Sequence, residues 1–187
     1  MLSNHIKEAT KAPHQQLEVV VVKKLKSIRS QADYADLLKH FYAYFSKVEQ
    51  AVAPYINETV LPDYAERRNS SYIKADIEAL GESVETLPHA VAPGILNAIS
   101  ALGALYVLEG SIMGGRIIVQ MLEKAGITQG VSFFSGYGEA TGQMWQRFTE
   151  VLNRYAPTED DEAQAIAAAN ATFKQLGDVF EGTTVSA

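Results

Sequence analysis

Ala101-Leu-Gly-Ala-Leu-Tyr-Val-Leu-Glu-Gly-Ser-Ile-Met-Gly-Gly-Arg-Ile-Ile-Val119 is the stretch whose reading decides the fold. Its apolar density and its length read as a buried helix, yet it carries Gly103, Gly110, Gly114 and Gly115. Each interior glycine costs a helix about 1 kcal/mol against alanine, and four cost roughly 3–4 kcal/mol. That is a large share of a domain's net stability. Gly103, Gly110 and Gly114 are spaced by seven and four residues, so they share one helical face. The face is bare backbone. Two occupants fit it: a second helix packed closely, or a flat ligand.

Working outward, the same period recurs along the chain. Residues 3–27 read as a helix with Ser3 as cap and Leu17, Val21 and Leu25 inward. Pro13 lacks an N–H, so a kink or a fresh start is expected there, next to His14. Residues 31–53 form an amphipathic helix opened by Ser30 and Asp33 and ended by Pro54. Residues 63–80 read as a broken helical pair around Asn69-Ser70-Ser71, with Arg67 and Arg68 at the break and Gly81 at its end. The glycine-bearing helix spans 93–125 and stops at Gly126. A further helix covers 139–155, with Met144, Trp145 and Phe148 inward. A last one follows Pro157, capped by Thr158, with Phe173 and Phe180 on its apolar face. The tail from Gly182 to Ala187 is expected to be loose. No alternating strand segment, repeat or linker interrupts this pattern. The expectation is one all-α domain over residues 1–187, a bundle of about six to eight helices.

Composition narrows the function. The chain has 187 residues, a net charge of −6 and no cysteine. Disulfides, zinc–thiolate sites, cysteine-bound iron–sulfur clusters and a cysteine nucleophile are excluded. Basic residues are scattered, which leaves no footprint for nucleic acid. The N-terminus has no signal pattern, and the apolar run Val91–Leu108 contains Pro93, Asn97 and Ser100. No membrane span and a cytoplasmic location are expected.

Few residues can carry chemistry. The histidines are His5, His14, His40 and His89. His14 has Glu18 four residues on, within reach of the imidazole on a helix. Such a partner fixes the tautomer and raises the basicity of the other ring nitrogen, although an ordinary surface pair has the same spacing. A di-iron carboxylate site would need Glu-x-x-His on two helices, and the chain has none. Phosphate-binding glycine loops and Gly-x-Ser-x-Gly are absent, and Ser111 has no catalytic base beside it. What remains is one histidine with a carboxylate helper on an early helix and a glycine-floored helix about a hundred residues later. A planar porphyrin could sit between them.

Four segments carry a family resemblance. They are Ile6-Lys-Glu-Ala-Thr-Lys-Ala-Pro-His14-Gln-Gln-Leu-Glu18, Ala75-Asp-Ile-Glu-Ala-Leu-Gly81, Gly103 to Gly115, and Gly136-Tyr-Gly with Trp145 and Phe148. The chain resembles the bacterial haem oxygenases of the type associated with bacteriophytochromes. The resemblance implies an all-α, multi-helical bundle with haem held between a proximal and a distal helix. His14 matches the iron ligand and Glu18 the carboxylate that orients it. Lys7, and more weakly Lys174, match partners of the haem propionates. Gly110, Gly114 and Gly115 match the distal glycines, and Tyr106 stands on the same haem-facing stretch. Ser111 occupies the place of an aspartate that organises water in animal members, and Asp178 stands where those have a base.

The activity implied is cleavage of haem, both cofactor and substrate, by O2 and reducing equivalents to biliverdin, ferrous iron and carbon monoxide. A ferredoxin or reductase would be the external electron donor, and the chain would be a monomer or homodimer. Two alternatives share the residues: a haem-binding or sensory module without turnover, and a scaffold that has lost haem.

Overall fold

The computed structural model describes residues 1–182, and among them it holds eight α-helices and no strand. In chain order they are α1 (Leu2–Ala9), α2 (Lys11–Ser27), α3 (Gln31–Val52), α4 (Ser70–Ala79), α5 (Ala98–Met113), α6 (Gly115–Lys124), α7 (Thr141–Tyr155) and α8 (Glu159–Glu181). Short 3-10 turns cover Tyr64–Glu66 and Gly138–Ala140.

Local chemistry sets most of these boundaries. The Ser30 side chain accepts from the Asp33 backbone N–H and starts α3. The Asp33 carboxylate in turn accepts from the Arg29 N–H, so the expected reciprocal bond to Ser30 is displaced by one residue. Asn97 with Ser100 and Thr158 with Asp161 form full capping boxes on α5 and α8. Gly126, at φ 80°, turns the chain after α6 in a conformation that other residues seldom adopt. Gly182 ends α8; the tail residues 183–187, expected to be loose, lie outside the described residues.

Helix α5 is the hub. It is buried from Ser100 through Glu109, packs on α8, α7 and α3, and is apolar nearly all round, as a core helix should be. Together α5 and α6 make a 27-residue run, Ala98–Lys124, of mean hydropathy 1.4, long and apolar enough to cross a membrane by composition. Half of its most apolar window is buried inside the protein, chiefly on α5. Around α5 a continuous core gathers Ile6, Tyr34, Phe41, Phe45, Ile77, Phe133, Phe148 and Leu176.

Three sequence expectations change. The N-terminal break falls at Thr10, where the hydroxyl donates to the Ile6 carbonyl at 2.7 Å, and not at Pro13. Pro13 is the third residue of α2, where a missing N–H is harmless because that group has no partner in the helix anyway. Ser3 lies inside α1 and does not cap it; its N–H donates to Asn153 Oδ1. The glycine-bearing helix begins at Ala98 rather than 93, because Asn97 caps it, and it is interrupted at Gly114.

Candidate functional site

The glycines of α5 and α6 divide into two kinds. A Cβ added at Gly103 would stand 2.2 Å from the Ala165 carbonyl oxygen of α8, and one at Gly115 would stand 2.1 Å from that of Phe134. These two are helix-packing glycines. At Gly110 the nearest atom would be Cη2 of Trp145 at 3.8 Å, and at Gly114 the Ser111 oxygen at 3.8 Å. Among the described residues, nothing else comes within 4 Å of these two positions. The single groove expected along Gly103, Gly110 and Gly114 is therefore filled by α8 at one end and open at the other.

The early histidine is linked to α5 through Thr10. Tyr106, one turn before Gly110, interacts with the Thr10 hydroxyl at the junction of α1 and α2. His14 is one turn beyond Thr10, its N–H bonded to the Thr10 carbonyl. Further on, α2 meets α6 and α8, while α2 and α5 are not a closely packed pair. Between the Thr10–Tyr106 contact and the α2–α6 contact, α2 and α5 do not pack closely on one another. Met113 and Ile117, near Gly114, are exposed apolar side chains.

His14 is half exposed, its ring tilted at 43° to Phe173 with centroids 5.3 Å apart. Its Nε2 is 3.4 Å from Glu18 Oε1, so the outer ring nitrogen faces the carboxylate here, and a turn of the exposed ring about Cβ–Cγ would move it away. The Ser111 hydroxyl donates to the Leu108 carbonyl at 2.6 Å, which leaves its oxygen as an acceptor. Lys7 is exposed on α1. Lys174, adjacent to Phe173, holds Asp178 at 2.9 Å, so the acid at 178 neutralises the lysine within α8.

Behind the opening lies a buried ionic group that the sequence reading did not assemble. Arg67, 2% exposed, donates to both oxygens of Asp63, to Glu109 at 2.7 Å and to the Met144 carbonyl at 3.1 Å. Burial pushes the Glu109 carboxyl up to about 7, against the opposing pull of Arg67. A cavity of about 230 Å³ adjoins it, lined in part by Glu49, Tyr64 and Arg68. Burial also raises Glu49, which accepts from the Ser70 N–H and hydroxyl. The signal was present: Glu109 is a lone charge in an apolar helix, and such a charge needs a partner.

The protein-family model described as "Heme oxygenase" matches residues 1–182. The chain belongs to the haem oxygenase family. A haem oxygenase of Xanthomonas campestris pv. campestris is 30% identical over 142 residues, covering 75% of this chain and 84% of its own length. The haem oxygenase PigA of Pseudomonas aeruginosa is 25% identical over 183 residues, covering 97% of this chain and 92% of its own. A haem oxygenase of Neisseria meningitidis, solved with NO and CO bound, shares the fold with a TM-score of 0.79 at 22% identity, over 97% of this chain and 90% of that one. Against that family the fit of a flat tetrapyrrole can be tested on the chain's own atoms. His14 offers a half-exposed imidazole, Met113 and Ile117 beside Gly114 are exposed apolar side chains, and no described residue comes closer than 3.8 Å to a Cβ at Gly110 or Gly114: the donor and the bare backbone suit haem.

Proposed function

We infer that the gap between α2 and α5 is the haem site of a haem oxygenase, which degrades haem with O2 and reducing equivalents to biliverdin, iron and carbon monoxide. One observation carries the reading. Of four glycines on the hub helix and its continuation, two are closed by backbone of other segments and two, Gly110 and Gly114, are left open. An interior glycine weakens a helix, and close approach of a flat ligand is a reason to keep one where no protein atom packs.

Haem, when bound, supplies the iron that activates oxygen and the bridge carbon that is cut. The chain's residues supply the rest. His14 would offer one ring nitrogen to the iron, and Glu18, 3.4 Å from the ring, would hold its orientation. A neutral imidazole pushes less electron density than a thiolate, which disfavours simple O–O cleavage. The bare backbone at Gly110 and Gly114 would let this wall approach a flat ring closely. Among α5 residues no histidine is present, and the Glu109 carboxylate is turned to Arg67, so no strong acid stands at the open glycines. A water accepted by the Ser111 oxygen is the proton source. Lys7 and Lys174 are the partners for the ring's carboxylates, with Lys174 weakened by Asp178; Tyr106 lines the same stretch of α5.

The protein works as one domain, in the cytoplasm, with a ferredoxin or reductase as one-electron donor. The test is a hemin titration of wild type and His14→Ala, followed by reductant and oxygen. Wild type is expected to give an imidazole-type Soret band and then a bilin spectrum, and His14→Ala to lose the first and the second. An unchanged Soret band in the variant removes His14 from the role. Wild type that binds hemin but forms no bilin is a binding module.

A further inference from the structure

Arg67 is the most demanding buried group outside the haem gap, and its partners are informative. Its Nη1 donates to Glu109, the residue before Gly110. Its Nη2 donates to the carbonyl of Met144, the residue before Trp145. Trp145 is the side chain nearest to Gly110, and it packs on Tyr106 and on Phe148 with centroids 5.4 and 5.9 Å apart. The guanidinium itself lies 5.5 Å over Phe148 and is held from behind by both oxygens of Asp63. One rigid fork thus ties α5 just before the open glycine to α7 just before the aromatic that faces it.

We propose that Arg67 is a positioning residue that sets the distance between Gly110 on α5 and Trp145 on α7, and with it the shape of the distal wall. The inference rests on the haem-site reading above. A planar guanidinium can serve a carboxylate edge, a second carboxylate and a carbonyl on separate sides at once, whereas a lysine ammonium is a point charge at the end of a flexible stem. Lysine keeps the charge but cannot hold both helices in register. The adjoining cavity gives a shorter side chain room to be solvated, so Arg67→Lys is the variant expected to fold.

Trp145 is the chain's single tryptophan, which makes its emission a direct report on this wall. In Arg67→Lys, without hemin, acrylamide quenching of Trp145 is expected to rise while far-UV circular dichroism keeps its helical content. With hemin, bilin formation per bound haem is expected to fall about tenfold or more, since a displacement of about 1 Å suffices for that. Hemin affinity, set chiefly on the His14 side, is expected to change by less than the turnover does. A folded Arg67→Lys with a lower Tm but unchanged quenching and unchanged turnover overturns the proposal and makes Arg67 a stability residue only. Should Arg67→Lys not fold, Glu109→Gln decides: it keeps an acceptor oxygen for Arg67 and removes the charge on α5. The same changes in smaller degree support the proposal, and unchanged quenching and turnover overturn it. Wild type that forms no bilin refutes the haem oxygenase reading instead, and the quenching comparison without hemin still decides the role of Arg67.

Discussion

Alanine at Gly103 and alanine at Gly110 should have opposite effects, and the structure sets the size of each. At Gly103 the new Cβ would be 2.2 Å from a backbone oxygen of Ala165, where ordinary contact begins at 3.4 Å, so α5 and α8 must part by about 1.2 Å. Overpacking of this kind costs about 1–3 kcal/mol, and because the clash is with backbone the upper end applies. Helix propensity returns about 1 kcal/mol. The net loss is about 2 kcal/mol, a fall in Tm of roughly 4–8 °C for a chain of this size. At Gly110 the Cβ would meet only the Trp145 ring, at 3.8 Å. There the propensity gain stands alone, about 0.5–1 kcal/mol, which raises Tm by roughly 1–4 °C. The methyl would, however, stand where the ring should lie. Thermal unfolding by circular dichroism, without hemin, is the first assay, and bilin formation after hemin loading the second. Gly103→Ala should be less stable, and Gly110→Ala more stable but slower. Equal loss of stability in both, or a stabilised Gly110→Ala with wild-type turnover, refutes the division of the glycines into packing and ligand-facing ones.

Two further outcomes are expected. Burial raises Glu109 to about 7 from an ordinary 4.5, so the folded state holds that proton more tightly than the unfolded one. Its contribution is full below about 4.5 and is lost as pH rises through about 7, so wild type should lose ground to Glu109→Gln between pH 5 and 8, by roughly 3 kcal/mol at most in urea unfolding. A difference independent of pH would show that the carboxyl is not held protonated. Ser111→Ala should bind hemin as wild type does and form bilin more slowly, checked by single-turnover absorbance; equal rates discard Ser111 as the water's partner.

The helices were legible because their signals are local. Ser30, Asn69, Gly81, Pro157 and Thr158 mark ends by side-chain chemistry or backbone conformation that needs no tertiary context, and each lies where an element stops or starts. The His14–Glu18 spacing is local too, and the pair is present. What sequence could not give is the partner of a surface. Gly103, Gly110 and Gly114 share a face by geometry, yet only the path of α8, through Ala165, decides which of them is covered. The Thr10 break depends on a hydroxyl closing on Ile6 in a way that competes with Pro13, and the two are indistinguishable by pattern. Arg67, flagged only as lying at a break, meets residues 42 and 77 positions away, and no periodicity reports such contacts.

The helix that carries His14 is also the least anchored of the long ones. Among its 17 residues α2 buries only Val21 and Leu25, whereas α5 has eleven of its 16 within the core. Amide exchange should therefore open α2 well before α5, because local stability follows buried apolar contact. A tetrapyrrole lying against α2 would supply the missing apolar neighbour, so loading should slow exchange along α2 far more than along the hub. In this protein the molecule to be destroyed would complete the protein's own interior until it is cut, and product departure would coincide with a loosening of that wall.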